Sequence, residues 1–322
     1  MSRSEVLVVG AGVIGTTTAI RLVEAGHTVR VVARDRPGDS TSCAAGAIWG
    51  PYLVEDDERI MPWSEQSRRY LSDLAEESDI TGVRIVYGHE AVRADLQPPG
   101  WATALDGYRM ARPEELPAGF CRGWWYSAPI VDMPAYLRYL EKRLGESGVA
   151  IEQGTITSLS SAVEESPVVV NCTGVGAAAL TGDEQLYPTR GQLVAVKNPG
   201  ITHFFCEHDE SPTPTYFLPH GDVLVLGGSA EPGRTDRTPD TRIGDEIRAR
   251  CAVIEPSIGD NEKAPFLEHR VGLRPSRPAV RLEVEQIGAG HVVHNYGHGG
   301  AGVTVSWGCA NDVLALVDGL AA

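Results

Sequence analysis

Apolar and polar positions along the chain follow two periods, and the switches between them mark the elements. The apolar run Val6–Val9 is followed by a stretch from Val13 to about Ala25 with apolar residues at helical spacing. Gly26 stops that helix and a second apolar run, Thr28–Ala33, follows, so residues 5–35 read as a βαβ unit. Residues 56–80 set Trp63, Tyr70, Leu71 and Leu74 on one helical face. From Val83 to about Trp125, Pro, Gly and aromatics separate short strand-like runs, which predicts an antiparallel region. A helix returns after Asp132, which can cap it; Pro134 suits its first turn, Leu137, Leu140 and Leu144 repeat at helical spacing, and Gly148 ends it. Val149–Ile151, Ile156–Leu159 and Val168–Asn171 read as strands, the last running into Thr173-Gly174. A second strand-rich stretch spans about Gln185 to Phe266, with strands at Leu193–Val196, Tyr216–Leu218 and Val223–Leu226. The segment His294–Gly308, HNYGHGGAGVTVSWG, reads as a strand, a glycine-rich turn and a helix of small residues.

This order predicts an α/β fold. A Rossmann-like nucleotide-binding domain from residues 1–55, 132–184 and 267–322 is interleaved with a strand-rich α+β substrate-binding domain from residues 56–131 and 185–266. A chain of 322 residues is long enough for two such domains sharing an interface. The net charge of −15 argues against nucleic acid and anionic membranes as partners, and no apolar run approaches bilayer-spanning length. The start, MSRSEVLVVG, enters a strand without a signal-peptide pattern. Six scattered cysteines without a C-x-x-C fit reduced thiols, and the expected location is cytoplasmic. Of the three lysines, neither Lys142 nor Lys197 sits where a Schiff base would form, which disfavours pyridoxal chemistry.

Gly10, Gly12 and Gly15 stand in G-x-G-x-x-G spacing between a strand and a helix. In that device one glycine allows the tight turn, one lets backbone N–H groups approach a pyrophosphate, and one packs helix on strand. Asp35 lies 20 residues beyond Gly15, where a carboxylate can accept from ribose hydroxyls, although Arg34 beside it could instead meet the extra phosphate of NADP. The second glycine-rich joint tips the balance to FAD. A helix N-terminus there can face a ring that gains negative charge on reduction, and Gly297, Gly299, Gly300 and Gly302 allow close backbone approach. His291, His294 and His298 lack Cys or carboxylate companions at ligand spacing, so no metal is expected and local hydrogen bonds account for them. Neither a G-x-S-x-G elbow nor a P-loop is present.

These residues resemble the D-amino-acid oxidase family, the group that includes D-aspartate oxidases, over nearly the whole chain. The resemblance rests on VVGAGVIG, on AAGAIWGPY at 44–52, on GWWYSAPIVDMPAYLRYL at 123–140 and on VVVNCTGVGA at 168–177. It continues through RGQLVAV at 190–196, VGLRPSRPAVRLE at 271–283 and HNYGHGGAGVTVSWGCA at 294–310. The resemblance implies FAD contacts at Gly10, Gly12, Val13, Ile14, Gly15, Ala33, Arg34 and Asp35, and at Ser42, Ala45, Gly46 and Ile156. It adds Thr173, Gly174, Arg274, His298, Gly299, Gly300, Gly302, Val303 and Thr304. It implies that Arg274 and the Tyr216 hydroxyl hold the substrate carboxylate, that the Gly300 carbonyl accepts from the substrate amine, and that Tyr52 lines the pocket. On the residues alone, the alternatives are a structural salt bridge for Arg274 and a core contact for Tyr216. The implied reaction moves the α-hydrogen as hydride to flavin N5; the imino acid hydrolyses to a 2-oxo acid and ammonia, and oxygen is reduced to hydrogen peroxide.

No flavin-attaching Cys or His matches, so non-covalent FAD is expected. Pro212 stands where vertebrate members carry a second tyrosine, and the ending Gly319-Leu-Ala-Ala lacks a peroxisomal tripeptide, which points to a cytoplasmic, bacterial version. The loop with Glu207, Asp209 and Glu210, offset only by His208, predicts neutral or basic D-amino acids as substrates ahead of D-aspartate. D-aspartate oxidase and, more distantly, an NAD(P)-dependent dehydrogenase are the alternatives. The partners are a small-molecule D-amino acid and molecular oxygen, and a homodimer is compatible with this reading.

Overall fold

A computed structural model of the chain describes residues 4–51, 57–208 and 213–320. The first unit is β1 (Glu5–Val9), α1 (Val13–Glu24) and β2 (Thr28–Ala33), matching the apolar runs that predict it. Next come α2 (Ile60–Leu74), α3 (Ser78–Thr81), β3 (Val83–Val92), α4 (Gly100–Thr103), β4 (Arg109–Met110) and β5 (Arg122–Val131). Helix α5 (Met133–Glu146) starts where the Asp132 carboxylate accepts the Ala135 N–H at 3.3 Å. Then follow β6 (Ile151–Gln153), α6 (Leu159–Glu165), β7 (Val168–Asn171), α7 (Ala177–Thr181), β8 (Tyr187–Lys197), β9 (Phe204–Glu207), β10 (Tyr216–His220) and β11 (Val223–Gly227). The chain continues with β12 (Glu231–Pro232), α8 (Thr241–Ile254), β13 (Phe266–Ile287), β14 (Gly290–His298) and α9 (Gly302–Leu320).

The strands join in one sheet ordered β4-β5-β3-β9-β10-β11-β8-β13-β14-β7-β1-β2-β6, with β12 paired on β8. Strands β14, β7, β1, β2 and β6 run parallel to one another, so their carboxyl ends share one edge. The 22-residue strand β13 pairs with β8 on one side and β14 on the other, which welds the parallel part to the mainly antiparallel part. Helices α1, α2 and α9 pack together, with the Tyr70 and Trp307 rings stacked 4.5 Å apart and the Trp307 indole N–H donating to the Tyr136 hydroxyl. No helix among the described residues is long and apolar enough to cross a membrane.

Two expected strands differ: the one expected at Val149–Ile151 runs over Ile151–Gln153, and the other is replaced by a helix start. Ile156–Leu159 is not a strand: the Ser158 hydroxyl accepts the Ser161 N–H at 3.2 Å and starts α6 at Leu159. The apolar residues there satisfy a different partner. Ile156 and Leu159 pack over Leu7, Val9 and Val32 on the face of the sheet. A serine cap and two apolar residues three apart fit a helix start as well as a short strand, and packing decides between them.

Candidate active site

The carboxyl edge of the parallel strands gathers residues expected to hold the nucleotide, where open α/β sheets bind their ligands. Gly10 has φ 109°, and a Cβ there would lie 2.4 Å from the Cys172 carbonyl oxygen; one on Gly15 would lie 1.9 Å from the Gly10 oxygen. These two glycines close the joint itself. Gly12 is different, because an added Cβ would meet only the Ser42 hydroxyl, at 3.1 Å. As N-cap of α1 it offers no side chain to the helix's first N–H groups, and the Val13 N–H donates to Ser42 Oγ at 3.0 Å. The first turn, with Ile14 and Gly15, thus presents backbone donors at the positive end of a 12-residue helix, a fit for a pyrophosphate.

Ala33, Arg34 and Asp35 end β2 on the same edge. Arg34 Nη2 lies 2.7 Å from Asp35 Oδ2, and this charged hydrogen bond holds the carboxyl below its usual range, ready to accept from hydroxyls. Thr173 and Gly174 follow β7, and the Thr173 backbone lies against Gly10. Ser42, Ala45 and Gly46 bridge toward the antiparallel half, where Gly46 packs on Leu193, Leu218 and Val225 and its carbonyl faces His220 Nε2 at 3.1 Å. The residues present fit FAD: one helix start for the pyrophosphate, one carboxylate for the ribose, and a second glycine-rich helix start for the ring.

That second start follows β14. His298 is buried, with Nε2 3.1 Å from Asn295 Oδ1, and burial pushes its pKa down to about 3, so it is neutral at ordinary pH. His294 lies 2.9 Å from Glu285 and 3.3 Å from Asn171. Both imidazoles serve local hydrogen bonds, and among the described residues no group of three or more His, Cys, Asp and Glu is set to hold a metal. The Gly299 N–H donates to the Pro275 carbonyl at 2.8 Å, which ties the glycine turn to the residue after Arg274. Gly300 at the tip is exposed, whereas Val303 and Thr304 are buried after Gly302 opens α9. The Thr304 hydroxyl donates to the Gly50 carbonyl at 3.0 Å.

Across the antiparallel half, lateral pairing places Trp124, Glu90, Cys206, Tyr216, Gly227 and Leu193 in one row. Residues paired laterally project to the same face. The Tyr216 ring lies across Gly227, where a Cβ would come within 1.8 Å of it, and the Arg274 guanidinium lies across Gly191, within 2.4 Å of where a Cβ would be. Glycine is required at both positions by this close approach. Burial pushes the Tyr216 pKa up to about 12 while the Arg274 charge pulls it down, so the hydroxyl stays protonated within the field of the guanidinium. Arg274 Nη1 donates to the Ser229 carbonyl at 3.0 Å, and among the described residues no carboxylate pairs with it. A half-buried guanidinium and a phenol side by side can bind one carboxylate by several hydrogen bonds.

The acidic-loop expectation needs correction. Glu207 follows Cys206 in β9 and therefore points to the opposite face from Tyr216. It pairs there with Arg93 at 2.6 Å, whose guanidinium lies 4.1 Å over the Phe120 ring. Tyr52, Asp209, Glu210 and Pro212 lie outside the described residues. The acid on the Tyr216 face is Glu90, missed in the sequence; it is fully buried, accepts from the Trp124 indole at 3.0 Å and the Tyr126 hydroxyl at 2.6 Å, and lies 3.2 Å from His208 Nδ1. Ser229, Gly191 and Gly227 were missed too. For the two glycines the available signal was glycine inside or ending an apolar strand run, in RGQLVAV and VLVLGG, which marks close approach of another group.

The model of the family described as FAD dependent oxidoreductase matches residues 5–316. The chain is 44% identical over 312 residues to a D-amino-acid oxidase of Rubrobacter xylanophilus, covering 96% of this chain and 94% of that one. It is 32% identical over 332 residues to the human D-aspartate oxidase, covering 98% and 95%. In fold it is similar to glycine oxidase from Geobacillus kaustophilus, with a TM-score of 0.80 at 20% identity over 99% of this chain and 95% of that one. The chain belongs to the FAD-dependent oxidoreductase family that includes the D-amino-acid oxidases.

Proposed function

We propose that this enzyme oxidises D-amino acids to 2-oxo acids, ammonia and hydrogen peroxide with non-covalent FAD. The parallel half holds the cofactor and the antiparallel half the substrate. The observation that carries the reading is the Arg274 guanidinium, with which no carboxylate among the described residues pairs, beside the protonated Tyr216 hydroxyl, with the glycine turn tied alongside through Gly299 and Pro275. FAD supplies the acceptor for two electrons and the α-hydrogen, and oxygen takes the electrons on as hydrogen peroxide. The protein's share is positioning. Arg274 and Tyr216 fix the carboxylate, the Gly300 carbonyl accepts from the neutral amine, and no side chain has to remove the α-proton. Water then hydrolyses the released imino acid.

Two anchored groups and one reactive hydrogen leave the side chain a single direction, which excludes L-enantiomers. For the side chain, neutral or basic D-amino acids are proposed ahead of D-aspartate and D-glutamate. The support is the acidic Glu90 on the Tyr216 face. The relationship to a D-aspartate oxidase keeps that activity as the second reading. A peroxide-coupled screen of both enantiomers decides: highest activity on D-aspartate overturns the side-chain proposal, and turnover of L-amino acids overturns the stereochemical one. A yellow protein with flavin absorption separates this enzyme from a nicotinamide dehydrogenase, and flavin released on acid precipitation supports non-covalent binding. A homodimer and a cytoplasmic location complete the proposal, tested by light scattering and fractionation.

A further inference from the structure

The Arg190-Gly191-Gln192 start of RGQLVAV contributes only Gly191 to the contacts above. Arg190 is wholly buried, and its guanidinium serves one segment. Nε donates to the Asp236 carbonyl at 3.1 Å, Nη1 to the Glu231 carboxylate at 2.5 Å, and Nη2 to the Thr238 carbonyl at 2.7 Å and to Gln192 Oε1 at 2.9 Å. Gln192, also buried, extends the grip. Its amide group donates to the Asp240 carbonyl at 2.7 Å, and its Oε1 accepts the Asp240 N–H at 2.8 Å. Its backbone exchanges bonds with Ser229: the Gln192 N–H donates to Ser229 Oγ at 3.0 Å, and the Ser229 N–H donates to the Gln192 carbonyl at 3.2 Å. From α8, Arg250 donates to the Gly228 carbonyl at 2.9 Å.

Residues 228–240 are thus held along their length, and their first two members border the site. A Cβ on Gly228 would stand 3.1 Å from the Tyr216 hydroxyl, and the Ser229 carbonyl accepts from Arg274. Two-point recognition of a carboxylate requires the guanidinium plane to be held, and this one hydrogen bond sets it. We propose that Arg190 and Gln192 are positioning residues for substrate recognition: acting through Ser229, they fix the plane of Arg274 for the α-carboxylate. The proposal rests on reading Arg274 as the carboxylate clamp. A buried cation engaged on two backbone carbonyls and a carboxylate is a demanding way to tie down a loop, and it is understandable where that loop must present one carbonyl accurately.

The test uses the holoenzyme with Gln192→Leu, Gln192→Glu and Ser229→Ala, and Arg274→Leu as reference. KM, kcat, flavin content, thermal midpoint and the Kd of benzoate, titrated through the flavin spectrum, are measured for each. Gln192→Leu should raise KM and benzoate Kd about tenfold while kcat stays within about threefold, because the carboxylate contact is made alike in ground and transition states. Gln192→Glu keeps the acceptor for Arg190 and for the Asp240 N–H and should recover part of the affinity. Ser229→Ala keeps the carbonyl but loses the anchor from the Gln192 N–H, and should raise both constants about threefold. A folded, flavin-replete Gln192→Leu enzyme with unchanged KM and Kd overturns the inference; if that variant does not fold, an unchanged Kd in Ser229→Ala does so. The underlying reading fails separately, if Arg274→Leu still turns over substrate and binds benzoate normally.

Discussion

At Arg274 the contrast between a paired and an unpaired cation carries the assignment. A guanidinium that lies across Gly191 and, among the described residues, donates only to a backbone carbonyl keeps its remaining donors for a ligand. Arg274→Leu should therefore cost on the order of 3–5 kcal/mol in kcat/KM, because the substrate carboxylate is then buried without its partner. Flavin content should stay normal, and near-parental kinetics would refute the site. Tyr216→Phe should be milder, roughly 1–2 kcal/mol, since Arg274 retains the carboxylate. With its pKa pushed up to about 12, Tyr216 contributes no alkaline limb to the rate profile below about pH 10. A limb there that disappears in Tyr216→Phe would show an ionising hydroxyl instead.

Among the elements, the two helix starts divide their glycines by task. Gly10→Ala forces a Cβ to 2.4 Å from the Cys172 carbonyl at a positive φ, so it should destabilise the fold with or without cofactor. Gly12→Ala finds only a hydroxyl at 3.1 Å, and its extended backbone suits any residue. It should leave the thermal midpoint of the apoprotein nearly unchanged while weakening FAD binding, because the new methyl occupies the approach to the helix N-terminus. Comparing apoprotein melting with FAD titration for the two variants checks this. Equal loss of apoprotein stability in both would mean that Gly12 too is only a packing glycine.

The whole molecule carries a set of histidines whose pKa values are lowered by burial. Burial pushes His298 down to about 3 and His89 and His220 to about 4, and lowers His203 and His294 as well. A base whose folded pKa is depressed binds fewer protons than its unfolded form between the two values, so stability falls as pH drops below about 6.5. Each fully depressed histidine adds a slope of up to about 1.4 kcal/mol per pH unit. Carboxylates held low, such as Asp183 beside Arg277 and Tyr296, add their loss only in more acidic solution. Denaturant unfolding between pH 7 and 5 should show declining stability, with a shallower slope in His298→Gln. A flat profile through that window would mean that these imidazoles are solvated.

Much of the cofactor half was legible along the chain because its signals are local. An apolar run followed by G-x-G-x-x-G, or by HNYGHGG, dictates a strand, a tight turn and a helix start with no long-range information. Strand β2 has the bounds that its apolar residues predict, and the Asp132 cap sits where the pattern places it. The short segment 156–159 was ambiguous because the same residues suit a strand or a helix start, and contact with Leu7 and Val9 settles it. The substrate half was legible only where the family resemblance supplied Arg274 and Tyr216. Which face each strand residue presents depends on register, which is set between strands distant in sequence. That register turned Glu207 away, brought Glu90 beside Cys206, and laid Tyr216 across Gly227. The sequence by itself determined the strands, tight turns and helix starts of the parallel half, whereas the expectation for Arg274 and Tyr216 came from the family resemblance rather than from any local pattern. The tertiary structure alone decided their surroundings, because a side chain's partners are fixed by lateral pairing and packing rather than by its neighbours along the chain.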